Sequence, residues 1–462
     1  MLRLLAGSLP LGVPASTIVL NWCCRLGLAL LQRPLPRRDD WIFVIDETVG
    51  LGALKCLVVL GIPVARLAET GYSPRHCDMT VRAVEMTVTS TGVWVAAVLE
   101  QVSARTGVPV QIVADHGSDV REGIVLFRQQ APSWVETYDI SRAIAAHLKA
   151  HGRDDGHWQA FLKQAGATLS HFQQTDLAFL LPPRQRTKAR DMAMDAHVDW
   201  AQRLIGYHDQ GDCSSIVLPC VFTANAWAQL HTARGKRRVE PLRALIGTHY
   251  DTRAVLCEAL RAASATALDE LDDTFWRLAD RGYARLLQAF AWVLPYRARL
   301  PEWTQTIAMS KTIQTVLKTR GLSRATPTVV LAQLVEQGPL AAPVAELQTR
   351  VLQHLEHGAA KLPAGATWLA SSDLIESVFG HYKAFTARGP LKEAGRFVLL
   401  IPAFLCELTV PVIREAMASV RTIDVERRVH THFGPSMLAR RLRALRPDMK
   451  TASTFLGVPM GN

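Results

Sequence analysis

The order of apolar runs between residues 41 and 138 is the feature that most constrains the fold of this chain. Two segments in this region have apolar residues at the three- and four-residue spacing of helices: 93–106 and 141–151. Five runs rich in Val, Ile, Leu and aromatic residues are predicted as strands: 41–45, 56–64, 84–88, 108–113 and 134–138. Three strands followed by alternating helices and strands predict an α/β fold with a mixed sheet flanked by helices.

The rest of the chain is predicted to be mostly helical. Residues 152–365 have helical spacing almost throughout, which indicates a large all-α insertion into the α/β domain. A strong helix at 371–385 is expected to complete the core, and a basic helical region spans 395–445. The predicted division is an N-terminal segment (1–36), the first part of the α/β domain (37–151), the insertion (152–365), the completing helix (366–390) and the C-terminal region (391–462).

Residues 14–31 predict a helix near the N-terminus. Ser16 is expected to cap this helix and Gly27 to end it. Its predicted buried face carries Ile18, Trp22 and Leu26. Two interpretations stay open: the latter part of a helix-turn-helix DNA-binding unit within residues 1–36, or an ordinary amphipathic helix. A linker is predicted at 34–40.

The charge balance favours a polyanionic partner. Lys and Arg number 52 against 41 Asp and Glu, a formal charge of +11. Nucleic acid is a better match than a membrane surface, because neutralised phosphates release counterions; a well-solvated basic surface is the alternative. The most apolar stretch, 397–413, is broken by two prolines and a glutamate and predicts buried helices rather than a membrane span. The eight cysteines form no C-x-x-C pair, which indicates reduced thiols and a cytoplasmic protein.

Two acidic residues are placed where strands are predicted to end. Asp46 follows the first strand and Asp115 follows the fourth. If these strands are neighbours, both carboxylates emerge at the same edge of the sheet, where they repel each other unless a hard cation lies between them. Mg²⁺ prefers such oxygen ligands and keeps its other positions for water and phosphate.

A third carboxylate, Glu376, lies on the helix predicted at 371–385. Ile375, Phe379 and Tyr382 share one helical face and are expected to pack it down, with Glu376 at the border of that face. Each acid also has a structural interpretation. Asp46 and Asp115 are each compatible with an Asx-turn after a strand, and Glu376 with a capping box begun by Asp373. Three acids in this order, after two strands and on a helix, favour a catalytic set.

Six segments of the chain form a recognisable set of motifs: DWIFVID (40–46), KCLVVLG (55–61), DHGSD (115–119), YDIS (138–141), LPPRQRTKAR (181–190) and SSDLIESVFG (371–380). Together they resemble the DDE transposases, an integrase-like class with a ribonuclease H-like fold, and in particular bacterial members. The last motif is the most specific. The spacing is similar too, with 69 residues from Asp46 to Asp115 and a long gap, bearing the insertion, before Glu376.

The resemblance implies DNA strand cleavage and strand transfer at transposon ends by two-metal phosphoryl transfer. Asp46 would bridge two Mg²⁺ ions, which Mn²⁺ can replace, while Asp115 and Glu376 hold one ion each. The expected partners are DNA and a second copy of the chain on paired ends, in the bacterial cytoplasm at the nucleoid.

Several further residues are candidates for a supporting role. Glu376 and Lys383 match the E-x₆-K half of a Y-R-E-K signature known in relatives, but Leu369 and Ser372 occupy the Tyr and Arg positions. Lys383 is therefore a candidate phosphate contact, with a solvated helix face as the alternative. Asp119 and Asp139 are candidate accessory acids or helix caps. A loop that would follow a DNA backbone, or simply be solvated, contains Arg184, Arg186, Lys188 and Arg190. Trp227 and Trp303 are candidates for stacking on a flipped base, with core packing as the alternative.

Two other functions use the same residues. A ribonuclease H-like nuclease would cut DNA through the same acids without joining strands. A domesticated relic would bind DNA and no longer cut it, although the intact set of acids argues against decay.

Overall fold

A computed structural model describes residues 14–49, 54–115, 117–175, 177–185, 193–210, 232, 288–386, 395–433 and 437–445. Its strands are β1 (Trp41–Val49), β2 (Lys55–Pro63), β3 (Thr80–Thr87), β4 (Gln111–Ala114), β5 (Val135–Tyr138), β6 (Leu322–Ser323) and β7 (Thr367–Trp368). The helices up to residue 210 are α1 (Ser16–Gln32), α2 (Val64–Glu69), α3 (Gly92–Thr106), α4 (Ser118–Gln130), α5 (Ile140–Asp154), α6 (Gly156–Phe172) and α7 (Met194–Gln210).

The later helices are α8 (Leu300–Arg320), α9 (Thr326–Val335), α10 (Ala342–Ala360), α11 (Asp373–Thr386), α12 (Ile401–Phe404), α13 (Val410–Ser419), α14 (Thr422–Phe433) and α15 (Met437–Leu445). Short 3₁₀ helices occupy His76–Asp78, Ala178–Leu180, Ala291–Tyr296 and Arg396–Leu400. The chain divides into two compact units. One comprises Met1–Ala143, Thr312–Gln337 and Val351–Asn462, and the other comprises Ile144–Lys311 and Gly338–Arg350.

A mixed five-stranded sheet forms the centre of the first unit, in the order β3-β2-β1-β4-β5. The β1–β2 and β2–β3 pairs are antiparallel, whereas β4 is parallel to both β1 and β5. The predicted α/β architecture, a mixed sheet with flanking helices, is therefore confirmed. Helices α3 and α4 cover one face, where their apolar side chains pack against alternate residues of the central strands.

Three strand boundaries differ from the predicted ones by more than one residue. Strand β3 begins at Thr80, four residues before the predicted start, and β4 begins at Gln111 rather than at residue 108. Strand β1 continues to Val49, so the prediction that Asp46 ends this strand is wrong. The cause is the antiparallel partner: β2 pairs with β1 along its whole length, including Asp46 opposite Val58. The parallel pairing with β4, by contrast, stops at Ile45 opposite Ala114.

Helix α1 differs from the predicted N-terminal helix at both ends. It continues through Gly27 to Gln32, and its N-cap is Ala15, which makes no side-chain cap. Ile18 and Trp22, predicted to be buried, are 44% and 45% exposed. Leu26 is buried as predicted. The buried face also carries Cys24 and Leu28, which pack against Leu399, Leu400, Val420 and Val425. Tertiary contact with the C-terminal helices therefore decides which face is buried.

Gly27 lies at the contact between α1 and the 3₁₀ helix at Arg396–Leu400. A Cβ atom at this position would lie 1.5 Å from the carbonyl oxygen of Leu399, a backbone atom that has no rotamer to adopt. The sequence rule that glycine ends a helix therefore fails here, because glycine permits a close approach of two backbones.

Gly27→Ala is expected to lower the free energy of unfolding by about 3 kcal/mol, since the two elements must separate to admit one methyl group. Gly380→Ala in helix α11 is the matched control: a Cβ atom there would meet nothing within 4 Å, so stability is expected to stay unchanged or to rise slightly. Denaturant unfolding of both variants measures the difference. Equal free energies of unfolding for the two variants would show that the backbone at Leu399 moves away from the added methyl group without loss of stability.

The core of the second unit is rich in aromatic side chains. Trp158 and Trp303 are fully buried, with their ring centroids 4.9 Å apart in an edge-on arrangement. The indole N–H of Trp303 donates to Asp155, whose carboxylate also caps α6. Trp303 therefore packs in the core, which was the alternative to base stacking, and its ring is not accessible to a DNA base. Trp227 lies outside the described residues.

Within the described part of the chain, no helix combines the length and apolar character that crossing a membrane would require.

Candidate active site

The register of β1 and β4 brings the first two acids to the same edge of the sheet. Asp46 follows the last residue of β1 that pairs with β4, and Asp115 follows the last residue of β4. Because parallel neighbours end at the same edge, the two carboxylates face one site, as predicted from the sequence. Asp46 is only 4% exposed, and Asp115 is partly exposed.

Helix α11 brings the third acid to the same place. Ile375, Phe379 and Tyr382 are buried, so they pack the helix down as predicted. Glu376 borders this buried face, and its Oε1 atom lies 2.7 Å from Nε of Arg142. Its carboxylate is therefore turned toward the sheet edge and ion-paired there, although the helix does begin close to it, at Asp373.

Arg142 connects all three acids and was not identified from the sequence. Its Nη2 donates to Oδ2 of Asp46 at 3.0 Å, and its Nη1 donates to Oδ2 of Asp115 at 2.7 Å. Its Nε lies beside Glu376 in an ion pair without hydrogen-bond alignment. One guanidinium group thus lies at the point where the three predicted carboxylates converge.

The electrostatics of this cluster are those of a crowded acidic site. The pKa of Asp46 is raised to about 7, chiefly because the carboxyl is buried; Arg142 lowers this pKa, and the carboxylates of Asp115 and Glu376 raise it. Burial lowers the pKa of Arg142, but the neighbouring carboxylates more than offset this, so the pKa lies above its ordinary value. Perturbation by burial together with specific charged partners is characteristic of functional sites.

The donor set is chemically suited to a hard divalent cation, since Asp46, Asp115 and Glu376 present only carboxylate oxygens. In this structure, the guanidinium group of Arg142 lies between these carboxylate oxygens and pairs with one oxygen of each acid. Accordingly, the described residues include no group of three or more His, Cys, Asp or Glu side chains already arranged around a metal position. For all three acids to bind one ion or a pair of ions, Arg142 must leave this position.

Asp139 holds the site together. This carboxylate is fully buried, and its Oδ1 accepts the backbone N–H of Arg142 in the first turn of α5. Its Oδ2 accepts both the backbone N–H and the hydroxyl of Ser372, immediately before α11. Two more bonds tie this segment to the sheet edge: Gln111 Nε2 donates to the carbonyl of Leu369, and the N–H of Ile140 to that of Ala370. Asp139 thus positions the helices that carry Arg142 and Glu376.

Asp139→Ala is expected to lower the free energy of unfolding by about 2–4 kcal/mol, because it leaves buried donors of Ser372 and Arg142 without their charged acceptor. Ser372→Ala removes only one of these bonds and is expected to cost about 1–2 kcal/mol. Urea unfolding measures both variants. A loss below 1 kcal/mol for Asp139→Ala would show that this bridge does not hold α11 in place.

The remaining predicted site residues lie in varied surroundings. Asp119 accepts a salt bridge from Lys55 at 3.0 Å, which links α4 to β2. Lys383 is exposed on α11, and Arg184 is exposed in its loop. Arg186, Lys188 and Arg190 lie outside the described residues, so DNA binding by this loop stays a prediction.

The Asx-turn alternative applies to Asp115 in part. Its Oδ1 accepts the N–H of Gly117 at 3.2 Å, while its Oδ2 faces Arg142. Similarly, Oδ1 of Asp46 accepts the N–H of Glu47, and its Oδ2 faces Arg142. Each acid therefore has one oxygen that fixes its orientation and one that is directed into the cluster.

No protein-family model matches the chain, and no curated protein is significantly similar to it.

Proposed function

We propose that this chain is a metal-dependent DNA phosphoryl transferase of the DDE transposase type, which cleaves DNA and joins the resulting ends. The observation that carries the proposal is the convergence of Asp46, Asp115 and Glu376 on one point. These acids are far apart in sequence, and they are the ones chosen from sequence motifs alone. The element order is compatible with a ribonuclease H-like sheet: β1 and β2, the short helix α2, β3, and then helices and strands in alternation.

The three carboxylates are the proposed ligands of Mg²⁺, which when bound activates a water or a DNA 3′-hydroxyl and stabilises the leaving oxygen. Asp46 is the proposed shared ligand, because the charges of both Asp115 and Glu376 act on its carboxyl group. Its burial and the bond from the N–H of Glu47 fix its orientation. Helix α11, held by Asp139, brings Glu376 to Nε of Arg142, whose Nη atoms face the strand-borne acids.

A DNA substrate agrees with the net charge of +11, since a basic surface attracts the phosphate backbone. Pairing of two DNA ends by two copies of the chain belongs to the same proposal and rests on the resemblance to DDE transposases. The proposed location, in the cytoplasm at the nucleoid, rests on the same resemblance.

The test is incubation of the full chain with DNA duplexes taken from the ends of the segment that encodes it, in Mg²⁺ or Mn²⁺. Joined products that require the metal would support the transposase proposal. Cleavage without joining would replace it with a nuclease, and binding without any chemistry would leave a DNA-binding relic.

A further inference from the structure

A second cluster of charged residues lies in a cavity of about 510 Å³ beside strand β3. Its lining comes from the end of α1 and the residues after it, from β3, from the end of α3 and from α14. None of the three acids of the candidate active site contributes to it. The charged lining residues are Arg33, Arg82, Glu85, Arg105 and Arg428, four cations against one carboxylate.

Arg82 is the unusual member of this group. Its side chain is 2% exposed, and none of its three guanidinium nitrogens has a hydrogen-bond partner among the described residues. Its Cζ lies 3.3 Å from the centroid of the Trp41 ring, a cation–π contact. Burial, together with the smaller effect of the nearby Arg38, lowers the pKa of Arg82 to about 9. A buried cation without a hydrogen-bonded anion is costly, and stacking on a ring offsets only part of that cost.

The local backbone is shaped to hold Arg82 in this position. The β2–β3 register skips it at a bulge, with Leu60 opposite Val81 and Val59 opposite Ala83. Such bulges redirect a side chain relative to the regular sheet. Gly61 leaves room for it, since a Cβ atom at that position would lie 2.6 Å from Nε of Arg82. The unpaired guanidinium is therefore a built feature and not a loose surface side chain.

The other arginines leave the cavity positively charged. Arg105 donates to the backbone carbonyls of Gln101 and Arg82, which hold its side chain without neutralising it. Arg428 is 3.6 Å from Glu85, the one acid in the lining. Arginine forks match the oxygens of phosphate, and the cavity is of a size that holds small phosphorylated ligands.

We propose that this arginine cavity is a binding site for a phosphate group, supplied by a DNA strand or by a free phosphate compound. Arg105 and Arg428, which are accessible, bind the phosphate oxygens, and Arg82 adds a buried positive charge in the cavity wall. The site is separate from the carboxylate cluster and does not depend on the activity proposed for it.

The test is a binding titration of the full chain in the absence of divalent metal. The ligands are inorganic phosphate and, separately, a short single-stranded oligonucleotide, and binding is measured by calorimetry or fluorescence anisotropy. Binding is expected to weaken about tenfold or more in Arg82→Met and in Arg105→Met, since the first loses a buried positive charge beside the phosphate and the second a direct contact to it. Arg121→Met, which removes an exposed arginine on α4 outside the cavity, is the matched control and is expected to bind as the wild type does.

The thermal unfolding temperature of Arg82→Met is expected to be equal to or above that of the wild type, because the variant removes an unpaired buried charge. Should this variant fail to fold, the binding affinity of Arg105→Met, a substitution at an exposed residue, tests the proposal alone.

Binding of both ligands at the cavity shows that free phosphate is sufficient, whereas binding of the oligonucleotide alone identifies a DNA strand as the source. Absence of binding to either ligand, or equal binding by the cavity variants and the control, overturns the proposal. Asp46→Asn is expected to bind phosphate normally, which separates this result from a failure of the proposed transposase activity.

Discussion

Asp46→Asn is expected to reduce metal-dependent DNA cleavage and joining by about a thousandfold or more, because it removes the carboxylate proposed to be shared by two ions. Asn has nearly the same shape as Asp, so the backbone contact from Glu47 can persist while the charge is lost. Glu376→Gln is expected to have an effect of similar size, through loss of a ligand on α11. The measurement is the rate of formation of cleaved and joined oligonucleotides on a sequencing gel.

Asp119→Asn is the matched control for these variants. Asp119 is also an acid beside a strand end, but it pairs with Lys55 and not with Arg142. We expect it to retain activity within about threefold, in line with the small effect of most surface ion pairs. Full activity of Asp46→Asn would show that the acids at the sheet edge are not the catalytic set. Equal losses in all three variants would indicate a general effect on folding, which circular dichroism would reveal.

Arg142→Met is expected to destabilise the metal-free protein and to make it respond more strongly to Mg²⁺. In the wild type, Arg142 is the cation that faces Asp46, Asp115 and Glu376. Without it, three carboxylates repel one another at a largely buried site. Breaking a buried ion pair costs about 3–5 kcal/mol, and the partial exposure of Arg142 reduces this to about 2–3 kcal/mol.

The effect of Mg²⁺ on the unfolding temperature distinguishes repulsion among the three carboxylates from simple loss of packing. If the three acids bind the cation, Mg²⁺ is expected to raise the unfolding temperature of Arg142→Met more than that of the wild type, since no guanidinium competes for the oxygens. Arg128→Met is a matched control, because Arg128 also pairs with an acid, Glu136 at 3.2 Å, and stacks over Trp134. Equal Mg²⁺ responses in wild type, Arg142→Met and Arg128→Met would contradict the idea that Arg142 occupies the metal position.

Arg142 shows why part of the site was not visible in the sequence. It follows the YDIS motif directly, near the start of a predicted helix, where a single arginine usually faces solvent. Its partner Asp46 is 96 residues away, and Glu376 is on a helix beyond the long region predicted as an insertion. The available signal was weak: a basic residue three positions after Asp139, at the sheet edge where other acids were predicted. No local pattern distinguishes such an arginine from one on a solvated helix face.

The sequence favours Asp139 as an accessory acid or a helix cap, and the structure gives it a wider role than a cap. It does cap α5, but it also accepts two hydrogen bonds from Ser372, 233 residues away. The sequence contained the capping position and no information about the second partner. Likewise, Gly27 was interpreted as a helix end from its local preference, whereas its close contact with Leu399 arises from packing across the chain.

The sequence by itself determined the order of strands and helices around the site and the three acids that converge there. These features follow from local physics, because apolar periodicity records which face of each element is buried, and strand ends place their residues at a common edge. Only the tertiary structure decided that β1 runs past Asp46, that Arg142 lies among the carboxylates and that Asp139 joins α5 to α11. These depend on the register and docking of elements far apart in the chain, where the interaction energy comes from partners that no local pattern specifies.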